Sequence, residues 1–167
     1  MGHPVLRRQA DTIEDPTSPD VRLLVRDMLE TMADANGLGL AAPQVHVAKR
    51  LVIFHLPPSG NVQDNSEEMP VRVLVNPTVE ALDDEREDGW EGCLSLPGLR
   101  GLVPRFQRVR YRGIRPNGEI VDTVAEGLHA RVVQHECDHL DGILYPMRMT
   151  DLSTLSFESE MRHTADG

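Results

Sequence analysis

The chain has 167 residues, 40% of them apolar, and a formal charge of −10 from 27 acidic against 17 basic side chains. That length suits a single domain spanning residues 1–167 with a real core, and the acidic balance argues against nucleic-acid binding through a broad basic surface. No apolar run approaches the roughly 18–20 residues that span a bilayer, and two cysteines, Cys93 and Cys137, are too few for a disulfide framework.

The opening "MGHPVLRRQA" lacks the apolar centre of a signal peptide and the Ser or Thr of a myristoylation signal, so a cytoplasmic protein is expected. In "TSPDVRLLVRDMLETMADANG", Ser18 is a good N-cap, Pro19 suits the first helical position and Asp20 complements the helix dipole. Leu23, Leu24, Met28, Leu29 and Met32 recur at helical spacing, which predicts a helix from Pro19 to Asn36 with Gly37 as its stop. The small, Gly-rich "GLGLAAPQV" reads as backbone that approaches something closely. "RLVIFHL" is a strand, "PPSGNVQDNSEEMP" a polar surface loop, "VRVLVNP" a second strand closed by Pro77, and "TVEAL" a third. "DDERED" reads as a solvated turn and "WEGCLSLPG" as a short apolar centre bounded by glycines. "QRVRYRGI" and "EIVDTVA" alternate across "RPNG", where Asn117-Gly118 marks a tight hairpin turn. A second helix is expected from Ala125 to Leu140 with Gly142 past its end, and the polar tail from Thr150 to Gly167 is expected to fray. The class is therefore α+β: one compact domain with antiparallel or mixed sheets around a central motif-bearing helix, plus an N-terminal helix.

That central helix carries "VVQHECDHLDG", and within it His-Glu-x-x-His. With about 100° per residue, His139 lies only about 40° from His135, so both rings share a face and can converge on one ion. Glu136, at about 100°, sits on the shoulder of that face, where it can reach a water on the ion. Cys137, at about 200°, points away and reads as a small buried hydrophobe. The extended metalloprotease pattern wants Gly three residues after the second His and a third His three later. Gly142 fits, but the next position is Tyr145. Cys93, held in "EGCLSLPG" between a glycine and a proline, is the natural substitute: a thiolate and two neutral imidazoles make a three-ligand site with one open position. Spacing alone leaves a simply packed Cys93 as the other reading. His3, His46, His55, His129 and His163 have no partner at ligand spacing and read as structural or exposed.

Three stretches, "GLGLAAPQ" (Gly37 to Gln44), "EGCLS" (Glu91 to Ser95) and "QHECDHL" (Gln134 to Leu140), together resemble the three motifs of the peptide deformylase family in order and spacing. The likeness runs from about Gly2 to Met149. It implies a hydrolase that removes the formyl group from the N-terminal formylmethionine of nascent polypeptides and releases formate. It implies one divalent ion per chain held by Cys93, His135 and His139, with Fe(II) as the native metal and nickel, cobalt or zinc as replacements. Water on that ion attacks the formyl carbonyl, Glu136 serves as general base and acid, and the Gln44 side-chain amide and Leu94 N–H hold the developing oxyanion. Gly37 and Gly39 let the peptide lie close to the backbone, as an added strand, and Leu128 and Val132 are apolar walls of the substrate pocket. Arg131, at about −40° on the wheel, faces the site; it is read either as a contact to the peptide beyond the methionine or as a snorkelling surface residue. Glu91 and Arg105 are read as a supporting ion pair, by default at the surface.

Some family members dock on the ribosome through a basic C-terminal helix. Here the tail sets Arg162 against Asp151, Glu158, Glu160 and Asp166, so ribosome proximity without that docking mode is expected, along with no membrane and no direct nucleic-acid partner. Two rivals remain at this point. A zincin-like metallopeptidase would need a third ligand downstream, and an inactive relative that binds peptide or metal would have little use for an intact Glu136 and Gln44.

Overall fold

The first helix, α1 (Pro19–Asp34), starts as the sequence directs: Ser18 is extended, its hydroxyl accepts from the Val21 N–H, and Pro19 opens the first turn. Its stop differs. Asn36 rather than Gly37 takes the left-handed conformation, at φ 51°, and the Gly37 N–H then donates to Met32 O. Asparagine tolerates that region better than most residues. The computed structural model describes residues 1–56 and 69–161, so the expected polar loop, apart from Met69 and Pro70, and residues 162–167 of the tail lie outside the described residues.

Strands β1 (Gly39–Ala41), β2 (Leu51–Leu56) and β3 (Met69–Ala81) follow; with β6 (Arg108–Ile114) and β7 (Ile120–Glu126) they form an antiparallel sheet in the order β1-β2-β3-β6-β7. β2 is buried on both faces. Val52, Phe54 and Leu56 point into one apolar cluster, while Leu51 and Ile53 join Val21, Met28 and Met32 of α1 in another. This is why "LVIF" is a continuous apolar run rather than an alternating one. β3 unites the two strands expected as "VRVLVNP" and "TVEAL". Its register against its neighbour β6 shifts between Val75 and Thr78, and there Asn76 adopts φ 52°. The Asn76 amide accepts from Ile13 N–H and donates to Ile13 O, which holds the irregularity in place.

The second helix, α2 (Gly127–Leu140), starts two residues later than Ala125. Ala125 and Glu126 remain paired to Val109 and Arg108 of β6, and Gly127, at φ 56°, turns the strand into the helix. Ala130, Val133, Cys137 and Leu140, spaced three and four apart, bury one stripe of α2 against Phe54, Leu74 and Tyr111 of the sheet. The larger of these, Val133 and Leu140, each contribute about 1.5–3 kcal/mol when fully buried.

Between the two parts of that sheet the chain makes a long hairpin, β4 (Arg86–Cys93) and β5 (Leu96–Phe106), turning at Leu94 and Ser95. The sequence reading of a solvated "DDERED" turn and a short "WEGCLSLPG" segment is corrected here. Arg86, Glu87 and Asp88 are already in β4. Glycine and proline lower strand propensity, but the glycines answer close neighbours: a Cβ on Gly92 would meet the Arg100 side chain, and one on Gly101 would meet Met149 and Tyr145. The tail expected to fray carries, as far as residue 161, a 3₁₀ turn at Leu152–Thr154 and a short strand β8 (Ser156–Phe157) that pairs with Leu99 and Arg100. Asp151 caps the turn by accepting from Ser153 N–H, and Leu155 packs beside Leu96 and Tyr145, so a polar sequence is tied down by one cap and one apolar anchor. The two helices and mostly antiparallel sheets give the α+β class expected, and no helix among the described residues is long and apolar enough to cross a membrane.

Candidate metal centre

Cys93 closes β4, at a register shift between Gly92 and Cys93 that bends the strand out of its ladder. His135 and His139 project from successive turns of α2. One donor atom from each of the three lies within 4.8 Å of the others, and Cys93 Sγ is 3.3 Å from His139 Nε2. His135 Nδ1 is 2.8 Å from Glu91 Oε2, which leaves Nε2 to face the group. Beside them Glu136 is buried, and its Oε2 has no hydrogen-bond partner. A thiol and two imidazoles converging next to an unpartnered carboxylate oxygen fit a divalent cation with an open position.

The electrostatics of the metal-free site follow from burial and neighbours. Burial pushes the Glu136 carboxyl up, only partly offset by the charge on His135, to about 7. Burial, with the positive His135 alongside, brings His139 down to about 3, so this ring is a neutral donor. Burial also opposes charge on His135, but the Cys93 sulfur and the Glu91 carboxylate outweigh it and raise the ring to about 10. Cys137 is buried in the apolar cluster on the far side of α2, and burial pushes its thiol up, in keeping with an inert packed residue.

Glu91 and Arg105 do form a pair, but a buried one. Arg105 Nε and Nη2 donate to Glu91 Oε1 and Oε2 at 2.9 and 3.0 Å, and the two side chains are 5% and 4% exposed. The third Arg105 contact, from Nη1, goes to Asp138 Oδ2 at 2.6 Å; Arg148 holds the other Asp138 oxygen at 2.7 Å. Burial works against a charged Glu91, yet hydrogen bonds from His135 and Arg105 hold its carboxyl down at about 2. Sequence reasoning passed over Asp138, Arg148 and Ser95. The only available signal for Asp138 was an acid one position before His139, buried by its place on the helix.

A cavity of about 470 Å³ opens onto the centre, a size suited to a small ligand or a peptide end. Gly37, Gly39, Leu128, Arg131 and Val132 all line it, as do Gln44, Leu94 and Glu136. Gln44 is oriented by its own carbonyl, which accepts from Ala41 N–H at 2.9 Å; its amide donates to Ser95 Oγ at 3.1 Å and lies 3.5 Å from Cys93 Sγ. Gly39 lies hard against Glu136: a Cβ there would fall 2.2 Å from its Oε1. Arg131, with its side chain 13% exposed, is not a snorkelling surface residue. Its guanidinium bonds to backbone carbonyls of β4 and β5 and to Glu91. Tyr145, at the place of a zincin's third histidine, stacks its ring on His135 with centroids 6.3 Å apart. The other described histidines are structural: His129 packs on Phe54 and Tyr111, His46 stacks on His3, and His55 Nε2 contacts Gly37 O. His163 lies outside the described residues.

A family model described as polypeptide deformylase matches residues 1–154. Peptide deformylase 1 of Bordetella pertussis is 53% identical over 157 residues, covering 94% of this chain and 89% of the relative. Peptide deformylase 1 of Xanthomonas campestris is 45% identical over 163 residues, covering 98% and 95%. Among solved structures, the Met-Ala-Ser-bound class I type b peptide deformylase from Acinetobacter baumannii matches with a TM-score of 0.82 at 38% identity, over 89% of this chain and 94% of that one. A Plasmodium falciparum peptide deformylase bound to an inhibitor matches with a TM-score of 0.78 at 29% identity, over 99% and 94%.

Proposed function

The chain belongs to the polypeptide deformylase family; it is a metal-dependent hydrolase that removes the N-formyl group from nascent peptides, and we propose that Cys93, His135 and His139 hold its ion while Glu136 moves the protons. One observation carries this reading: three soft and borderline donors from two separate elements meet within 4.8 Å, beside a buried carboxylate oxygen with no partner.

A formamide is a poor electrophile and neutral water a poor nucleophile. A bound divalent ion supplies Lewis acidity that makes water nucleophilic near pH 7. Glu136, buried beside the donor set with an unpartnered oxygen, takes a proton from the attacking water and returns it to the leaving amine. The Gln44 amide, with its carbonyl anchored on Ala41, and the Leu94 N–H stabilise the oxyanion; one such donor is typically worth about 3 kcal/mol. Leu128 and Val132 wall the space for the methionine side chain, and Gly37 and Gly39 let the peptide backbone lie along β1. Fe(II) is the ion we assign, with nickel, cobalt and zinc able to occupy the same donor set. The substrates are formylmethionyl ends of chains leaving the ribosome in the cytoplasm. Within the described part of the tail, Asp151, Glu158 and Glu160 oppose docking through a basic helix.

Formate release from a formyl-Met peptide, by protein prepared without oxygen and assayed for metal on the same sample, tests the reading. One equivalent of divalent metal and activity proportional to it are expected, both lost in Cys93→Ala. Retention of metal and activity in that variant refutes the ligand set.

A further inference from the structure

Arg131 turns its guanidinium into the protein. Nη2 donates to Glu87 O at 2.7 Å. Nη1 donates to Val103 O at 2.7 Å, to Glu91 Oε1 at 3.0 Å and to Gly89 O at 3.3 Å. Three of these acceptors are hairpin carbonyls, and the fourth is the carboxylate that receives His135 Nδ1 on its other oxygen. One side chain of α2 therefore ties the helix carrying two ligands to the hairpin carrying the third.

Gly89 makes the seat for this arginine. A Cβ at position 89 would lie 2.6 Å from Arg131 Cζ and 2.7 Å from Nη2. The clash involves the guanidinium itself, so any larger residue there must displace it. Glu91 is thus gripped from two sides: Arg105 forks onto both oxygens, and Arg131 bonds to Oε1. Two cations on one carboxylate fix its plane, and the plane decides whether Oε2 points at His135.

Resting on the assignment of Cys93, His135 and His139 as ligands, we propose that Arg131 is a positioning residue of the metal centre: seated on Gly89, it fixes the Glu91 carboxylate and, through it, the His135 ring. Losing a group that orients a ligand typically lowers metal affinity 10–100-fold. Arg131 acts one bond further out, with Arg105 still in place, so the low end, about tenfold, applies.

The test uses full-length protein loaded with Ni(II) and follows metal release to an excess of chelator. Arg131→Leu, Arg131→Lys and Gly89→Ala are measured alone and combined with Glu91→Gln, and the unfolding temperature of each metal-free variant is recorded. Release about tenfold faster in Arg131→Leu and Gly89→Ala, with partial rescue in Arg131→Lys, is expected. The effect should vanish in the Glu91→Gln background, because both changes act through that carboxylate. Two results overturn the proposal: a lowered unfolding temperature with wild-type release, or equal acceleration in both backgrounds. If Arg131→Leu does not fold, Gly89→Ala, which retains the arginine, carries the test. Failure of the ligand assignment is distinguishable, since Cys93→Ala and His135→Ala would then hold nickel as firmly as the wild type.

Discussion

Replacing Gly39 with alanine tests how the fold places Glu136, the base we propose. The new Cβ would stand 2.2 Å from Glu136 Oε1, 2.6 Å from Cδ and 2.8 Å from Cγ, against the 3.4 Å at which ordinary contact begins. The carboxylate must therefore retreat by about 1 Å, the gap left once the strand has given a few tenths of an ångström. It has little freedom to do so, because Glu136 is 4% exposed and its helix is pinned through Ala130, Val133 and Leu140. A misplacement of about 1 Å at a reacting group costs about 10²-fold in rate, or about 2.7 kcal/mol in the barrier. The expected result is a kcat for formate release about 10²-fold below wild type. Metal content should remain at one ion per chain, since the three atoms nearest the new methyl all belong to Glu136 and none to a ligand. The assay is steady-state formate release from formyl-Met-Ala-Ser, with metal measured on the same sample. A kcat within about twofold of wild type, in fully loaded protein, would show that the Glu136 position seen here is not the working one.

Two further outcomes follow from the same geometry. Gln44→Ala should lower kcat by about 10²–10³-fold with metal retained, the usual cost of one oxyanion donor; unchanged kcat/KM in loaded enzyme removes Gln44 from the reaction. In metal-free protein the Glu91 carboxyl is held at about 2, below its ordinary 4.5. Its ionised form thus stabilises the fold fully above about pH 4.5, and that contribution is lost as pH falls toward 2. Urea unfolding across this range should show a shallower acid decline in Glu91→Gln, and identical slopes in the two proteins would refute the buried pairing.

How far the sequence could be read depended on how local each signal was. Ser18-Pro19-Asp20 marked the start of α1 because capping is decided within one turn. The His-Glu-x-x-His spacing placed the two candidate ligands on one face, with Glu136 on its shoulder, because helical periodicity is rigid. The β4–β5 hairpin was invisible for the opposite reason. Its glycines and prolines argue against a strand, and the reasons for them lie far away in sequence: Arg131 against Gly89, and Tyr145 and Met149 against Gly101. Cys93 could be nominated by elimination and by family resemblance, but its distance from His139 is set by a hairpin register no local rule gives. Arg131 was aimed correctly at the site by the wheel, but its partners were out of reach: they are backbone carbonyls, and carbonyls leave no trace in side-chain patterns.

The buried ionic network makes poor sense as a device for stability alone. Glu91, Arg105 and Asp138 are each less than a tenth exposed. Burying such charges costs several kcal/mol apiece, and apolar residues of similar volume often serve a core as well or better. Apolar residues cannot, however, accept a hydrogen bond from His135 Nδ1, and so cannot hold that ring with Nε2 inward. The connections run from Arg148 at the surface through Asp138 and Arg105 to Glu91, where Arg131 also meets the carboxylate, and end on His135. Asp138 belongs to the same helix as both imidazoles, and Glu91 to the same strand as the thiol. The network therefore spans the one junction at which the donor set is divided between two elements, and the cost of burying it falls where a shift of the hairpin against α2 would separate sulfur from nitrogen.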